Sequence, residues 1–295
     1  MGLGISAVTS LLELYNLGYL KGKSHILDIG SQELHLHKND LKNLCSQTAL
    51  DISKIDSYPN IEMYPSKPRC SSKHFWKSLG IENYNSIDIN GEHGSLKHDL
   101  NLPFEKKDYF NKYDIVTDFG SCEHVFNISE AYKTIHKITK PGGIIMIQQE
   151  VVGGNGYYQF DRFFFEGLAA ANNYKVVASN YKFTLNERTK DGSTKQLRTP
   201  FNQDFLNIID KKSALIGIEI VFQKQDDNEF RIPYQGSLMK IEYNNFGYNK
   251  IFHRDDLSYS FIPEYNLSKI SLRLIIKEFI LRLKNKIGRK FRRLV

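Results

Sequence analysis

Four acids stand at the ends of four successive apolar runs: Asp28 in LDIGSQ, Asp88 in YNSIDI, Asp99 in LKHDL and Asp118 in YDIVTDFG. Acids and glycines in that position point to nucleoside chemistry. At the C-terminal edge of an open parallel sheet, bare backbone N–H groups and carboxylates face a common crevice. One carboxylate there can accept both hydroxyls of a ribose, and another can meet the exocyclic amine of a purine. The first turn reads Gly30-Ser31-Gln32-Glu33 and lacks the G-x-G-x-x-G spacing of a dinucleotide site. Each acid alone also fits an N-cap or a solvated turn, so the four in order carry the reading.

A second group of residues could do acid–base work. Asp118 leads into Gly120-Ser121-Cys122-Glu123-His124. Histidine is the most frequent general base, so His124 is the first candidate to take a proton from an attacking hydroxyl, with Glu123 beside it and Glu150 next in line. An equally open role for His124 is to bond backbone and pack beneath a ligand. Downstream, GGNGYYQFDRF (153–163) offers Asn155, Tyr157, Tyr158, Gln159 and Arg162, whose donors and aromatic faces suit a polyol. Its phenylalanines read as core. His35, His37, His93 and His98 lie on separate segments without ligand spacing, so no metal site is expected.

The elements that must position these residues follow from apolar runs alternating with helical stretches, an α/β pattern. Strands are expected at 25–30, 84–89, 96–100, 113–120, 143–150, 175–179 and 214–224. Helices are expected over the N-terminal segment and near 36–46, 129–138 and 159–174. A polar stretch at 57–72 reads as an irregular insertion, and KPGG (140–143) ends a helix and turns the chain into the fifth strand.

The order LDIG, SIDINGEHGSLKHDLNLPF, DFGSCEHVFN and KPGGIIMI resembles class I S-adenosyl-L-methionine (SAM) dependent methyltransferases over residues 24–225. The pieces IDINGEHG, HDLNLPF, GNGYYQFDRFFFEGLAAANNY and FRIPYQG resemble a bacterial subgroup associated with surface polysaccharide modification. The resemblance implies a Rossmann-like, doubly wound, mostly parallel seven-stranded sheet with an antiparallel last strand. It implies SAM as cofactor, with Asp28, Gly30, Ser31 and Gln32 at the methionine end and Asp88 with Ile89 at the ribose. Asp99 and Leu100 would frame the adenine, and Gly120 and Ser121 the floor. The expected reaction is O-methylation of a sugar or cell-surface glycan precursor. Methylation of another small metabolite and a noncatalytic, membrane-associated scaffold are the alternatives.

Of 295 residues, 41% are hydrophobic and 25% charged, which excludes a disordered, collagenous or polytopic membrane protein. Cys45, Cys70 and Cys122 have neither CxxC spacing nor an even count, so a reducing, cytoplasmic setting is expected. The N-terminal stretch has Glu13 and Asn16 inside its apolar run and reads as a short amphipathic helix, not a signal peptide or a spanning helix. Gly2 with Ser6 meets a short acylation pattern that chance also supplies. The net charge of +7 is uneven: residues 268–295 carry ten basic groups against Glu278, +9, so residues 1–267 sum to −2. A body of that charge does not track nucleic acid phosphates. The catalytic domain is thus expected at 1–267. The segment 268–295 has Leu272, Ile276, Phe279, Ile280, Leu283, Ile287 and Leu294 on one stripe, and is expected to lie as a basic amphipathic helix on an anionic membrane surface at its inner face, or to dock on protein. The sequence leaves the oligomeric state open.

Overall fold

The computed structural model describes residues 2–188, 194–200 and 214–234, apart from Gln47 and Gly153. The elements in chain order are β1 (Gly2–Leu3), α1 (Ile5–Asn16), β2 (His25–Ile29), β3 (Glu33–Leu34), α2 (Lys38–Cys45), α3 (Lys73–Ser78), β4 (Asn83–Ile87), β5 (Tyr113–Phe119), α4 (Ile128–Ile138), β6 (Thr139–Val152), α5 (Arg162–Ala171), β7 (Tyr174–Arg188), β8 (Thr194–Pro200) and β9 (Ala214–Lys224). Short 3-10 turns fill much of the insertion between α2 and α3.

Seven strands form one sheet in the order β4-β2-β5-β6-β9-β7-β8. Strands β4, β2, β5 and β6 run parallel, and β9 is antiparallel to both β6 and β7. The sheet is Rossmann-like and mostly parallel, and its last strand in sequence is antiparallel. Six of the seven expected strands form. The seventh, 96–100, does not: only Leu96 bridges, parallel, to Ile87. The side chains of Asp99 and Asn101 instead fold this stretch into a turn, with Asp99 Oδ1 accepting from the Asn101 amide at 2.9 Å. The edge strand β8 makes up the number, from a stretch where no strand was expected.

Alternation along the strands sends successive side chains to opposite faces, and both faces are covered, the doubly wound arrangement. On one face Leu27, Val116, Ile145 and Ile147 meet Ala131, Tyr132 and Ile135 of α4 and Phe165 and Leu168 of α5. On the other, Ile26, Ile115, Ile144 and Met146 meet Val8 and Leu11 of α1, Leu41 of α2 and Phe75 and Trp76 of α3. Lys140-Pro141-Gly142-Gly143 is not a turn ahead of the strand as expected. Thr139 already pairs with Tyr113, and the register then shifts before Ile144 pairs with Ile115.

After β9 the chain is bound across the ends of α4 and α5. His136 Nε2 donates to the Asn228 carbonyl at 2.7 Å, so its Nδ1 accepts from the Tyr174 hydroxyl at 2.6 Å. Asn172 and Arg231 exchange two hydrogen bonds, at 2.8 and 3.0 Å. Lys224, fully buried, donates at 2.9 Å to the carbonyls of His136 and Thr139, a cation at the C-terminal end of α4 where the helix dipole favours one.

Candidate cofactor and acceptor site

The adjacent parallel strands β2 and β5 are each followed by a glycine with positive φ, Gly30 at 88° and Gly120 at 76°, which a side chain would disfavour. The Gly30 amide donates to the Ile87 carbonyl at 2.7 Å and the Gly120 amide to the Gln148 carbonyl at 2.9 Å. A Cβ built on Gly120 meets no atom within 4 Å, so that turn faces open space. No helix starts at Gly30, and the helix expected near 36–46 follows further on. The chain runs into β3, which pairs with β1, and α2 begins only at Lys38.

Asp88, just beyond β4, closes the wall beside Gly30. Its Oδ2 accepts from the amide and hydroxyl of Ser31 at 2.8 and 2.9 Å, and its Oδ1 from the Asn90 amide at 3.1 Å. It therefore fixes the first turn. Ile89 next to it is 70% exposed, an apolar face with nothing to bury it. Asp99 is held below the usual carboxylate range by the Asn101 bonds. Asn101 in turn accepts from the Asn127 amide at 2.8 Å, which joins this turn to the one after β5. Leu102 and Phe126 are exposed beside that junction, whereas Leu100 is buried in the core. Asn90, Asn101, Leu102 and Phe126 were not singled out from the sequence, where only their place beside the acids could have marked them.

Three expected cofactor contacts belong to the layer beneath. Asp28 and Gln32 are 0% exposed. The Asp28 carboxylate accepts from Ser72 Oγ at 2.6 Å and from Thr117 Oγ1, and burial pushes its carboxyl up to about 6. It points between β2 and α3 because it alternates with Leu27 and Ile29, which face α4. Gln32 donates to the Ile29 carbonyl at 2.7 Å and to Ser121 Oγ at 2.9 Å, and the Ser121 hydroxyl donates to that same carbonyl. These residues knit the two glycine turns together and leave the crevice wall to backbone, Ser31 and Asp88. Asp118 likewise serves the frame, accepting from the amides of Ser121 and Cys122 at 3.0 Å each.

At the ends of β5 and β6 lies a cluster of charged groups. Glu123 Oε2 accepts from the Glu150 amide at 3.1 Å, and its Oε1 is 3.4 Å from His124 Nε2. Burial, then the nearby charges of Glu150 and Asp118, raises the Glu123 carboxyl despite the amide bond. His124 is exposed on the turn (39%). The Glu150 carboxylate lies 3.5 Å from Lys182 Nζ and is raised by burial. The glycine-rich stretch lies directly on Glu123: a Cβ on Gly156 would come within 2.6 Å of its carbonyl oxygen. Tyr158 donates its hydroxyl to the Phe126 carbonyl at 2.6 Å, and the Tyr157 ring stands edge-on to Phe126 at 5.7 Å. Asn155, Tyr157 and Gln159 are exposed. Arg162 starts α5, and its contacts with Glu166, at 3.8 Å, and the Phe163 ring both lie within that helix. Among the described residues no three His, Cys, Asp or Glu side chains gather as metal ligands.

No protein-family model and no curated protein matches the chain. Solved structures align with three quarters of it. A protein provisionally named a methyltransferase from Bacillus halodurans aligns over 75% of this chain and 99% of its own, with a TM-score of 0.41 and 9% identity. A SAM dependent methyltransferase from Archaeoglobus fulgidus aligns over 75% and 94%, at 0.39 and 13%. The 1,6-didemethyltoxoflavin-N1-methyltransferase of Burkholderia thailandensis, solved with S-adenosylhomocysteine, aligns over 75% and 78%, at 0.32 and 9%.

Proposed function

We propose that this chain is a SAM-dependent methyltransferase that O-methylates a sugar or cell-surface glycan precursor. The observation that carries the cofactor is the pair of positive-φ turns at Gly30 and Gly120, with Asp88 anchored on the first and open space over the second. A nucleoside fits these residues. Asp88 offers its remaining carboxylate lone pairs to ribose hydroxyls, Ile89 and Phe126 offer apolar faces to a purine, and Asp99 offers an acceptor to an exocyclic amine. A pyrophosphate does not fit, because the Ser31 amide after Gly30 meets the Asp88 carboxylate where a phosphate site would have a helix N-terminus. A cofactor with a positive centre suits this acidic wall. When bound, SAM supplies a methyl group on sulfonium that needs alignment and exclusion of water more than activation.

The acceptor would lie over the ends of β5 and β6, where Glu123, His124 and Glu150 stand near the exposed Asn155, Tyr157 and Gln159. The carboxylates and amides there suit a polyol. A membrane surface through residues 268–295 is part of the reading, supported by their +9 charge and apolar stripe; that segment lies outside the described residues. Among the described residues no helix is long and apolar enough to cross a membrane.

Calorimetric titration of SAM tests the cofactor. Asp88→Ala removes the ribose acceptor and the anchor of Ser31 together, and is expected to cost about 2 kcal/mol, roughly 30-fold in affinity. Wild-type affinity in a folded Asp88→Ala protein, or no heat with the wild type, defeats the proposal.

A further inference from the structure

Glu150, Gly217 and Lys182 stand in register on three neighbouring strands: Glu150 of β6 pairs with Gly217 of β9, and Gly217 with Lys182 of β7. Residues paired across a ladder direct their side chains to one face, and Glu150 and Lys182 are separated by the width of the strand between them. They meet because the middle position has no side chain. A Cβ on Gly217 would come within 2.8 Å of Lys182 Cε and 3.3 Å of its Nζ, so the lysine lies across the glycine with its amine 3.5 Å from Glu150 Oε1. One step further inside the sheet the same three strands carry Gln148, Glu219 and Asn180. There the Glu219 carboxylate accepts from Gln148, Asn180 and Ser10 of α1.

The carboxylates at the strand ends differ in what they have left to give. Glu123 has the Glu150 amide on Oε2 and His124 against Oε1. Glu150 has Lys182 on Oε1, but its Oε2 is buried with no hydrogen-bond partner among the described residues. A buried carboxylate oxygen without a donor is costly, and a hydroxyl brought to it would satisfy it. It sits on β6, beside the strand end that carries Gly120, where an open sheet receives its ligand.

We propose that Glu150 is the residue that binds the acceptor's hydroxyl and takes its proton, and that Lys182, laid across Gly217, is the positioning residue that holds it. The inference rests on the methyl-transfer reading and replaces His124 as the base. The acceptor oxygen forms the new C–O bond, the electrons of the C–S bond return to sulfur, and the hydroxyl proton passes to Glu150 Oε2 and then to water. The charged groups around Glu150 are Glu123 and His124 on the turn after β5, Lys182 on β7 and Glu219 on β9. Burial outweighs the lysine, and the raised carboxyl is the better matched to a proton leaving a hydroxyl.

Two readouts test this. In cells lacking the gene and fed methyl-deuterated methionine, wild-type chain is expected to restore a labelled glycan or metabolite and Glu150→Gln to lower it by about 10²-fold or more, with SAM affinity of the purified variant unchanged. In purified protein without SAM, labelled at the glutamate carboxyl carbon, the Glu150 signal should titrate above the usual carboxylate range. It should move higher in Lys182→Met and return in Lys182→Arg. Full labelling by a Glu150→Gln chain that binds SAM overturns the proton-acceptor role. An unmoved Glu150 titration in folded Lys182→Met overturns the role of Lys182. If the wild type neither binds SAM nor restores a labelled product, methyl transfer itself fails and the inference falls with it.

Discussion

Asp28 holds its proton up to about pH 6 because its burial between β2 and α3 outweighs the hydrogen bonds it accepts, those from Ser72 and Thr117 among them. In the unfolded chain the same carboxyl titrates near 3.8. The folded state therefore binds this proton more tightly. The group costs nothing below about 4, and costs stability as pH rises through 6, on the order of 3 kcal/mol once fully charged. Asp28→Asn keeps the shape and removes the titration. It is expected to have a higher urea midpoint than wild type at pH 8 and to lose that advantage near pH 4. Parallel midpoint profiles for the two proteins would mean that Asp28 does not titrate there. From the sequence Asp28 looks like a ligand to a cofactor. Its neighbours Leu27 and Ile29 face α4, and that alternation alone places Asp28 on the other side of the sheet.

The segment after β9 is tied to α4 through a histidine that must stay neutral. Burial, and then the Lys224 charge, pushes His136 down to about 4 from 6.5. Here the unfolded chain binds the proton more tightly, so stability present above 6.5 is lost as pH falls toward 4, opposite in sign to Asp28 over an overlapping window. His136→Gln is expected to weaken the fold at pH 7.5, where it gives up the bonds to Tyr174 and Asn228, and to lose less on acidification than wild type. Equal losses between pH 6.5 and 4.5 would show that His136 is not the titrating group. At this scale the sequence was legible wherever apolar periodicity was strong: β2, β5, α4 and β9 stand within two residues of expectation. It misled at 96–100, where Asp99 and Asn101 make side-chain bonds that compete with a ladder. It also understated β7, whose outer half is polar by composition and gains its order from pairing with β8 and β9. In the candidate site, the turns at Gly30 and Gly120 and the place of Asp88 at a strand end were legible because position and residue type agree, while their part in binding is a proposal. Lys182 and Gly217 were not, since a charge reaching across a strand leaves no local pattern.

For the molecule as a whole, charge is divided between a body at −2 and a tail at +9. Truncation after Asn266 is expected to leave SAM binding intact and to abolish sedimentation with anionic liposomes at low salt, on a gain of ~1 kcal/mol for each basic residue near the surface. Added salt should release the full-length chain in the same way. If full-length protein stays in the supernatant, or if truncation unfolds the body, the tail is a packing element and does not serve the membrane.

Among the described residues, the last strand to be made is one of the innermost. β9 lies between β6 and β7, and within the sheet β7 reaches the parallel strands only through it. On the ribosome, about fifty residues separate the start of β7 from the end of β9, a wait of several seconds at ~5–20 residues per second. Throughout it the nascent chain carries β6 with one edge unpaired, and β7 with Val176, Tyr181 and Phe183 unburied, a state prone to pair with other chains. A chain cut short between β7 and β9 would therefore yield a sticky product and not merely a smaller one. The eleven residues of β9 close both of those edges at once.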